Sequence, residues 1–304
     1  MSRGRRAPAA GRIVPPEPTL VDLHAHTCRS DGLLEPSALV AAAAAAGVRT
    51  LAITDHDTLA GYRDLVAPGA GPLPPGLCLL AGVEINAVAG ARDLPDGELH
   101  VVGLGVDARN AAFEAALAVQ RGGRRRRFEQ MAARLRAAGL GVDAQLAGLD
   151  LARDDALGRP TLARALVAAG FATSVQDAFA RFVGRGGPGY VPRVGLGPIE
   201  AIRAIRGAGG IPVLAHFSAA PSRRVLLREL MDAGLAGLEV HHRSFDTATV
   251  AAVDAVAREL GLLPSGGTDF HGDDETYAEA LAETWVPPGI GAGVLVALQV
   301  GVVA

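Results

Sequence analysis

In Leu20-Val21-Asp22-Leu23-His24-Ala25-His26, ionisable and apolar side chains alternate. Successive side chains of an extended chain point to opposite faces, so Asp22, His24 and His26 share one face and Val21, Leu23 and Ala25 the other. The apolar face predicts a packed strand, and the other brings two imidazoles towards one point. The pattern recurs: short runs rich in Val, Leu and Ile end at an ionisable residue, and an Ala-rich stretch with helical spacing follows. Candidate strands are Leu20–His26, Thr50–Thr54, Cys78–Glu84, Glu98–Leu104, Ile211–Ala215, Ala236–Val240 and Leu262–Gly266. Helices are predicted at Glu35–Ala46, Pro198–Ala208, Ser222–Ala233 and Thr247–Leu260, with Gly47, Gly209, Gly234 and Gly261 as stops, because glycine ends helices readily.

This alternation predicts an α/β protein, an irregular seven-stranded (β/α)7 barrel related to the eight-stranded one, with its site at the C-terminal mouth. The link from Asn86 to Gly97 is too short and too rich in Gly, Pro and Asp for a crossover helix, so the third and fourth strands are expected to pair as a hairpin. Roughly 100 residues separate the fourth and fifth strands, more than a compact domain puts into one loop. They predict an inserted helical subdomain over 108–193, placed over the mouth, with the barrel in 19–107 and 194–304. Within it, the run Arg124–Arg127 is expected on an exposed helical face rather than on RNA.

With 304 residues, 49% hydrophobic and 20% charged, the chain can bury a substantial core. A net charge of -3 gives no general affinity for nucleic acid or membrane, so neither a DNA duplex nor a bilayer is an expected partner. Ala38–Val48 and Gly291–Ala304 are apolar but shorter than the roughly 20 residues a spanning helix needs. Residues 1–18 hold four arginines among Pro, Gly and Ala without a signal-type apolar segment, and are read as a disordered tail. Two cysteines, Cys28 and Cys78, make no disulfide framework, which fits a reducing cytoplasm; Cys28 is read as a small packed residue.

His24, His26, Asp31, His56, Glu84, His100, His216, Asp269 and His271 stand at or just beyond strand ends, and they include six of the eight histidines. Ligands assembled at one barrel mouth must occupy such places, whereas scattered ionisable residues need not. Glu84 is the expected bridge, since a carboxylate has two oxygens to offer two cations. His100 and His216 require a further cation or a substrate phosphate. Nitrogen and oxygen ligands without thiolate suit manganese, iron or zinc. Three divalent cations would bring six positive charges and Asp31, Glu84 and Asp269 return three, so an anionic substrate is expected. His242, after the sixth strand, is placed either to protonate a leaving oxygen or contact phosphate, or as a packed neighbour. Arg159, Arg185 and Arg193 flank a glycine-rich loop and could clamp phosphate.

His24-Ala25-His26-Thr27, Ser30-Asp31-Gly32, Ile53-Thr54-Asp55-His56-Asp57-Thr58, Glu84, His100, Leu214-Ala215-His216 and Asp269-Phe270-His271 together resemble the PHP (polymerase and histidinol phosphatase) family over roughly Leu20 to Pro287. The resemblance implies a distorted seven-stranded barrel with two to three divalent metals. One metal would sit on His24, His26, Glu84 and Asp269, a second on Asp31, His56 and Glu84, and a third on His100 and His216, with His271 completing one of the last two. A metal-bound hydroxide would attack phosphorus, with Glu84, Asp269 and His242 as the catalytic set. Gly158-Arg159-Pro160 and Gly189-Tyr190-Val191-Pro192 further resemble the bacterial subgroup acting on nucleoside 3',5'-bisphosphates and on short RNA from the 5' end. Phe217, Thr161 and Gly187 depart from that subgroup, where proline, histidine and a basic residue are expected. The function this implies is a cytoplasmic phosphoesterase that hydrolyses a phosphomonoester on a small nucleotide, a nucleoside 3',5'-bisphosphate, with trimming of short RNA from the 5' end as a related activity. The alternatives are a histidinol-phosphate phosphatase and a metal-bound regulatory module without turnover.

Overall fold

The computed structural model describes residues 20–89, 97–147, 157–272 and 275–299. Its seven strands are β1 (Val21–Asp22), β2 (Thr50–Ile53), β3 (Cys78–Val88), β4 (Glu98–Leu104), β5 (Ile211–Leu214), β6 (Gly237–His242) and β7 (Leu263–Gly267). They lie side by side in sequence order. The outer two meet through the amide of Leu23 on Gly266 O (3.1 Å) and that of Asp269 on His24 O (2.7 Å), so the sheet closes as a barrel. The tail expected at residues 1–18 lies outside the described residues.

Six strands run parallel, and β4 is antiparallel to both β3 and β5, as the short Asn86-to-Gly97 link requires. The reversal matters for the site. His100, near the start of β4, reaches the same mouth that the parallel strands reach at their ends. The expectation that all nine stand at or just beyond strand ends is corrected here: His100 is the third residue of β4 and Glu84 lies within β3.

The helices are α1 (Pro36–Ala45), α2 (Ala60–Val66), α3 (Ala111–Ala137), α4 (Asp143–Leu146), α5 (Arg159–Ala168), α6 (Val175–Ala178), α7 (Pro198–Gly207), α8 (Arg224–Asp232), α9 (Thr247–Leu260), α10 (Tyr277–Glu283) and α11 (Pro288–Gln299). Gly47, Gly209, Gly234 and Gly261 all have positive φ after α1, α7, α8 and α9, the backbone that favours glycine at a helix stop. Among the described residues no single helix is long and apolar enough to cross a membrane.

Val102, Leu104, Ile211 and Val213 share a face with Glu84 and His100 and pack with Ile290 and Val294 of α11 beneath the site. The helical segment has a core of its own, with Phe128, Met131 and Leu135 of α3 against Leu162 and Leu166 of α5 and Phe182. The first half of α3 belongs elsewhere: Phe113 and Leu117 join the barrel cluster with Val83, Ile85 and Ile205. Thus α3 spans both cores.

Candidate metal centre

His24 and His26 leave β1 into the mouth, where Gly267 makes room; a Cβ there would stand 2.5 Å from that of His24. Asp22 turns away from them, accepting from the Thr268 amide (3.0 Å), the Thr268 hydroxyl (2.7 Å) and the Tyr277 hydroxyl (2.6 Å). Asp55 organises the next loop by accepting from the Thr27 amide (2.7 Å), the Thr27 hydroxyl (2.8 Å) and the Ser30 hydroxyl (2.8 Å), which sets Asp31. His56 follows β2, His216 follows β5, and Asp269 and His271 follow β7. The β6–β7 register slips between Glu239 and His241. That bulge re-aims the strand end, so His242 faces the mouth while His241 meets Trp285 (ring centroids 6.2 Å apart). Among the described residues, the three non-glycine positions with positive φ, Asp57 (57°), His216 (33°) and Asp269 (49°), all belong to this mouth. Such backbone persists where the surroundings over-determine it, as functional sites do.

Glu84 lies at the centre. Its Oε2 is 3.3 Å from His24 Nε2, 3.2 Å from His26 Nε2 and 3.0 Å from His56 Nδ1, and its Oε1 is 2.7 Å from His100 Nδ1 and 3.1 Å from His216 Nε2. Asp269 Oδ1 stands 3.2 Å from His26 Nε2, and Asp31 reaches His271 (3.2 Å) and His56 (3.5 Å). Three groups can each surround one ion: His24, His26, Glu84 and Asp269; His26, Asp31, His56 and His271; and Glu84, His100 and His216. All nine residues are therefore brought together. His271 joins Asp31 and His56, one of the two places implied for it; the division differs in that His26 rather than Glu84 completes that group and Glu84 joins the His100–His216 pair.

Buried His24 Nε2, His26 Nε2, His56 Nδ1 and Asp31 Oδ1 have no hydrogen-bond partner among the described residues. Leaving such groups unsatisfied costs about 1–3 kcal/mol each. His216 Nε2 also faces His100 Nδ1 at 3.1 Å, so two ring nitrogens point at each other. Cations between these donors satisfy both arrangements, and the nitrogen and oxygen set fits divalent transition metals.

The charge pattern agrees. Burial raises the Glu84 carboxyl, but His56, His24 and His100 outweigh it and hold it well below the usual range. Burial lowers His26, yet Asp269 and Glu84 push it up to about 10, and Glu239, Glu84 and Asp269 carry His24 well above its ordinary value against the same burial. The carboxylates thus demand positive charge from their surroundings.

The arginines fall differently from expectation. Arg124–Arg127 is not an exposed run. Arg124 donates to Asp57 Oδ2 (2.6 Å) and Arg127 to the Val191 carbonyl (2.7 Å), both buried, while Arg126 is exposed. Arg124 and Arg127 share a face of α3 with buried Gln120, Phe128 and Met131. Arg193, its side chain 9% exposed, lies between Asp57 (3.8 Å) and Glu98 (3.7 Å), and Arg159 lies 3.6 Å from Glu98. Arg185 is exposed beside Gly97 and stands outside this cluster. Of the positions that depart from the subgroup pattern, Phe217 packs in the barrel core, and Gly187 is demanded by space, since a Cβ would stand 2.5 Å from Phe182 O.

The sequence profile of the PHP domain family matches residues 22–130. The chain is 34% identical over 261 residues to the 3',5'-nucleoside bisphosphate phosphatase of Chromobacterium violaceum, covering 84% of this chain and 88% of that protein. The chain belongs to the PHP domain family. It is also 35% identical over 285 residues to the 5'-3' exoribonuclease Rnm of Escherichia coli, with 89% and 91% covered. A solved Bifidobacterium adolescentis protein assigned to the metal-dependent phosphoesterases superposes with a TM-score of 0.75 at 32% identity, covering 92% of this chain and 97% of that one. This PHP chain is accordingly a metal-dependent phosphoesterase.

The mouth of the PHP barrel is an open cleft of about 350 Å³, lined by His56, Glu84, His100, His216, His242, Ser244, Asp269 and His271. His242 Nε2 lies 3.4 Å from Asp269 Oδ2, and its Nδ1 pairs with the Ser244 hydroxyl at 2.7 Å. Sequence reasoning missed Glu239 and Glu98, each a single acid within a strand, and the pairing of Asp57, which it read only as part of the His56 motif. The helical stripe of Arg124 and Arg127 with Gln120 and Phe128 was the signal that could have found the buried arginines.

Proposed function

We propose that this phosphoesterase removes a phosphate from a nucleoside 3',5'-bisphosphate, with trimming of short RNA from the 5' end as a related activity. The observation that carries this is the cluster beside the metal centre. Four guanidiniums, Arg124, Arg127, Arg159 and Arg193, face two carboxylates, Asp57 and Glu98. Buried Arg127 Nη2 and Arg193 Nε have no hydrogen-bond partner among the described residues. Surplus positive charge with spare donors suits a second phosphate, which guanidinium binds through directed hydrogen bonds. The cluster adjoins the centre through Asp57, next to His56, and through Arg193, which donates to the Asn86 carbonyl (3.2 Å) opposite His100. The names of the two relatives agree with such a substrate. Histidinol phosphate would present an ammonium to this cationic cluster, so it is disfavoured.

In this reading the nine residues hold two or three divalent ions of manganese, iron or zinc, which when bound supply Lewis acidity and activate water for attack on phosphorus. Glu84 and Asp269 fix the ions, the arginines hold the remote phosphate, and His242 donates a proton to the leaving oxygen. Binding energy at the remote phosphate positions the scissile one.

Arg159 tests this with least damage to the fold, because it is the most exposed of the four, with 20% of its side chain accessible, and Glu98 keeps Arg127 and Arg193. Losing one charge-assisted contact costs about 1.5–3 kcal/mol, so Arg159→Ala should lower kcat/KM on a nucleoside 3',5'-bisphosphate roughly ten- to a hundredfold. p-Nitrophenyl phosphate should be nearly unaffected. Equal losses on both, or histidinol phosphate outperforming the bisphosphate, would remove the nucleotide assignment.

A further inference from the structure

Glu239 is a carboxylate in the middle of β6, 2% exposed, in the run Leu238-Glu239-Val240. It belongs to none of the three ion-holding groups, yet both its oxygens are engaged with residues that do. Oε1 is 3.0 Å from His24 Nδ1, and Oε2 accepts from the backbone amide of His216 at 2.6 Å. His216 is the residue at φ 33°, so the second bond anchors a strained peptide.

We infer that Glu239 is the positioning residue that fixes the ring tautomer of His24 and the backbone of His216, and so sets the affinity of the centre for metal. The inference rests on reading His24 and His216 as ligands. A carboxylate only accepts hydrogen bonds, so with an ion bound the His24 proton would reside on Nδ1 and the Nε2 lone pair would face the ion, on the side where Glu84 and Asp269 stand 3.3 and 3.5 Å away. A ring nitrogen can bind a cation only when it carries no proton, and the partner of the other nitrogen decides which one that is. His24 Nε2 is buried without a hydrogen-bond partner, as this tautomer requires. His26 is held by a weaker device: its Nδ1 is 3.4 Å from the Ser30 hydroxyl, itself bound to Asp55.

Glu239→Gln separates this role from packing, because glutamine has the same shape but one acceptor and one donor end. The His216 amide, which donates to Oε2 at 2.6 Å, must keep an acceptor, so the carboxamide oxygen goes to it and the NH2 faces His24. Nδ1 then accepts, the proton moves to Nε2, and the lone pair needed by the ion is lost.

The test is zinc titration of the metal-stripped full-length chain against a chelating indicator, with nitrogen-15 NMR of the histidine rings in the zinc-loaded chain. In the wild type, His24 should be the Nδ1–H tautomer. Glu239→Gln should convert it to Nε2–H and weaken zinc binding about ten- to a hundredfold, the range typical of such outer partners. Glu239→Asp keeps an acceptor-only group, so it should retain the Nδ1–H tautomer and lose less affinity. Wild-type zinc affinity in Glu239→Gln, or weakened binding with the Nδ1–H tautomer intact, would overturn the inference and leave the metal centre standing. So would Nε2–H at His24 in the wild type, a result needing no variant. A wild-type chain that takes up no zinc would instead overturn the ligand reading and this inference with it.

Discussion

At the scale of single residues, Glu84 carries the most chemistry. It is 1% exposed and has five imidazoles within 3.3 Å. Glu84→Gln preserves the volume but removes the charge and one acceptor, so metal and activity should be lost together. Parallel elemental analysis and turnover assays check this, and a variant with normal metal content and normal turnover would refute the bridging role. His241 gives a pH dependence outside the centre. Burial pushes its imidazole down to about 4, against a slight opposing pull from Glu239. The unfolded chain binds a proton near 6.5 while the folded chain does not, so stability should fall as pH drops from about 6.5 towards 4, by up to about 3 kcal/mol. His241→Gln should flatten that slope in denaturant melts of the metal-stripped chain at pH 6.5 and 4.5. An unchanged slope would show the ring to be solvated.

At the scale of elements, α3 ties the helical segment to the mouth. Arg124 and Asp57 have side chains 5% and 0% exposed and meet at 2.6 Å, with Asp57 next to His56. Breaking a buried pair leaves a charge uncompensated, at about 3–5 kcal/mol. Arg193 remains 3.8 Å from Asp57, so Arg124→Ala should cost about 3 kcal/mol in chemical denaturation, the low end of that range. A cost under about 1 kcal/mol would mean that Asp57 is rehydrated. Much of this architecture was legible in the sequence. Glu98–Leu104 and Thr247–Leu260 are bounded as the periodicity predicts, and the glycine stops lie where the chain needs positive φ. Other features were hidden for physical reasons. A bulge at β6 decides which of His241 and His242 faces the mouth, and no local pattern announces one. Glu239 reads as the solvent side of an alternating strand, because its partners lie over 20 positions away. Four consecutive arginines read as a solvated face until the stripe that Arg124 and Arg127 share with Phe128 and Met131 is weighed.

At the scale of the whole molecule, barrel closure makes the chemistry. The nine ligand-type residues span His24 to His271, and they converge because β1 meets β7 and β4 runs backwards. Three divalent ions would face Asp31, Glu84 and Asp269, with Glu239 adding one further negative charge behind His24. That leaves a positive centre suited to phosphate. The most direct test is the metal content of the purified, reconstituted chain. Between two and three divalent transition-metal ions per chain are expected, from the three ion-holding groups; one ion or none after reconstitution would contradict the account.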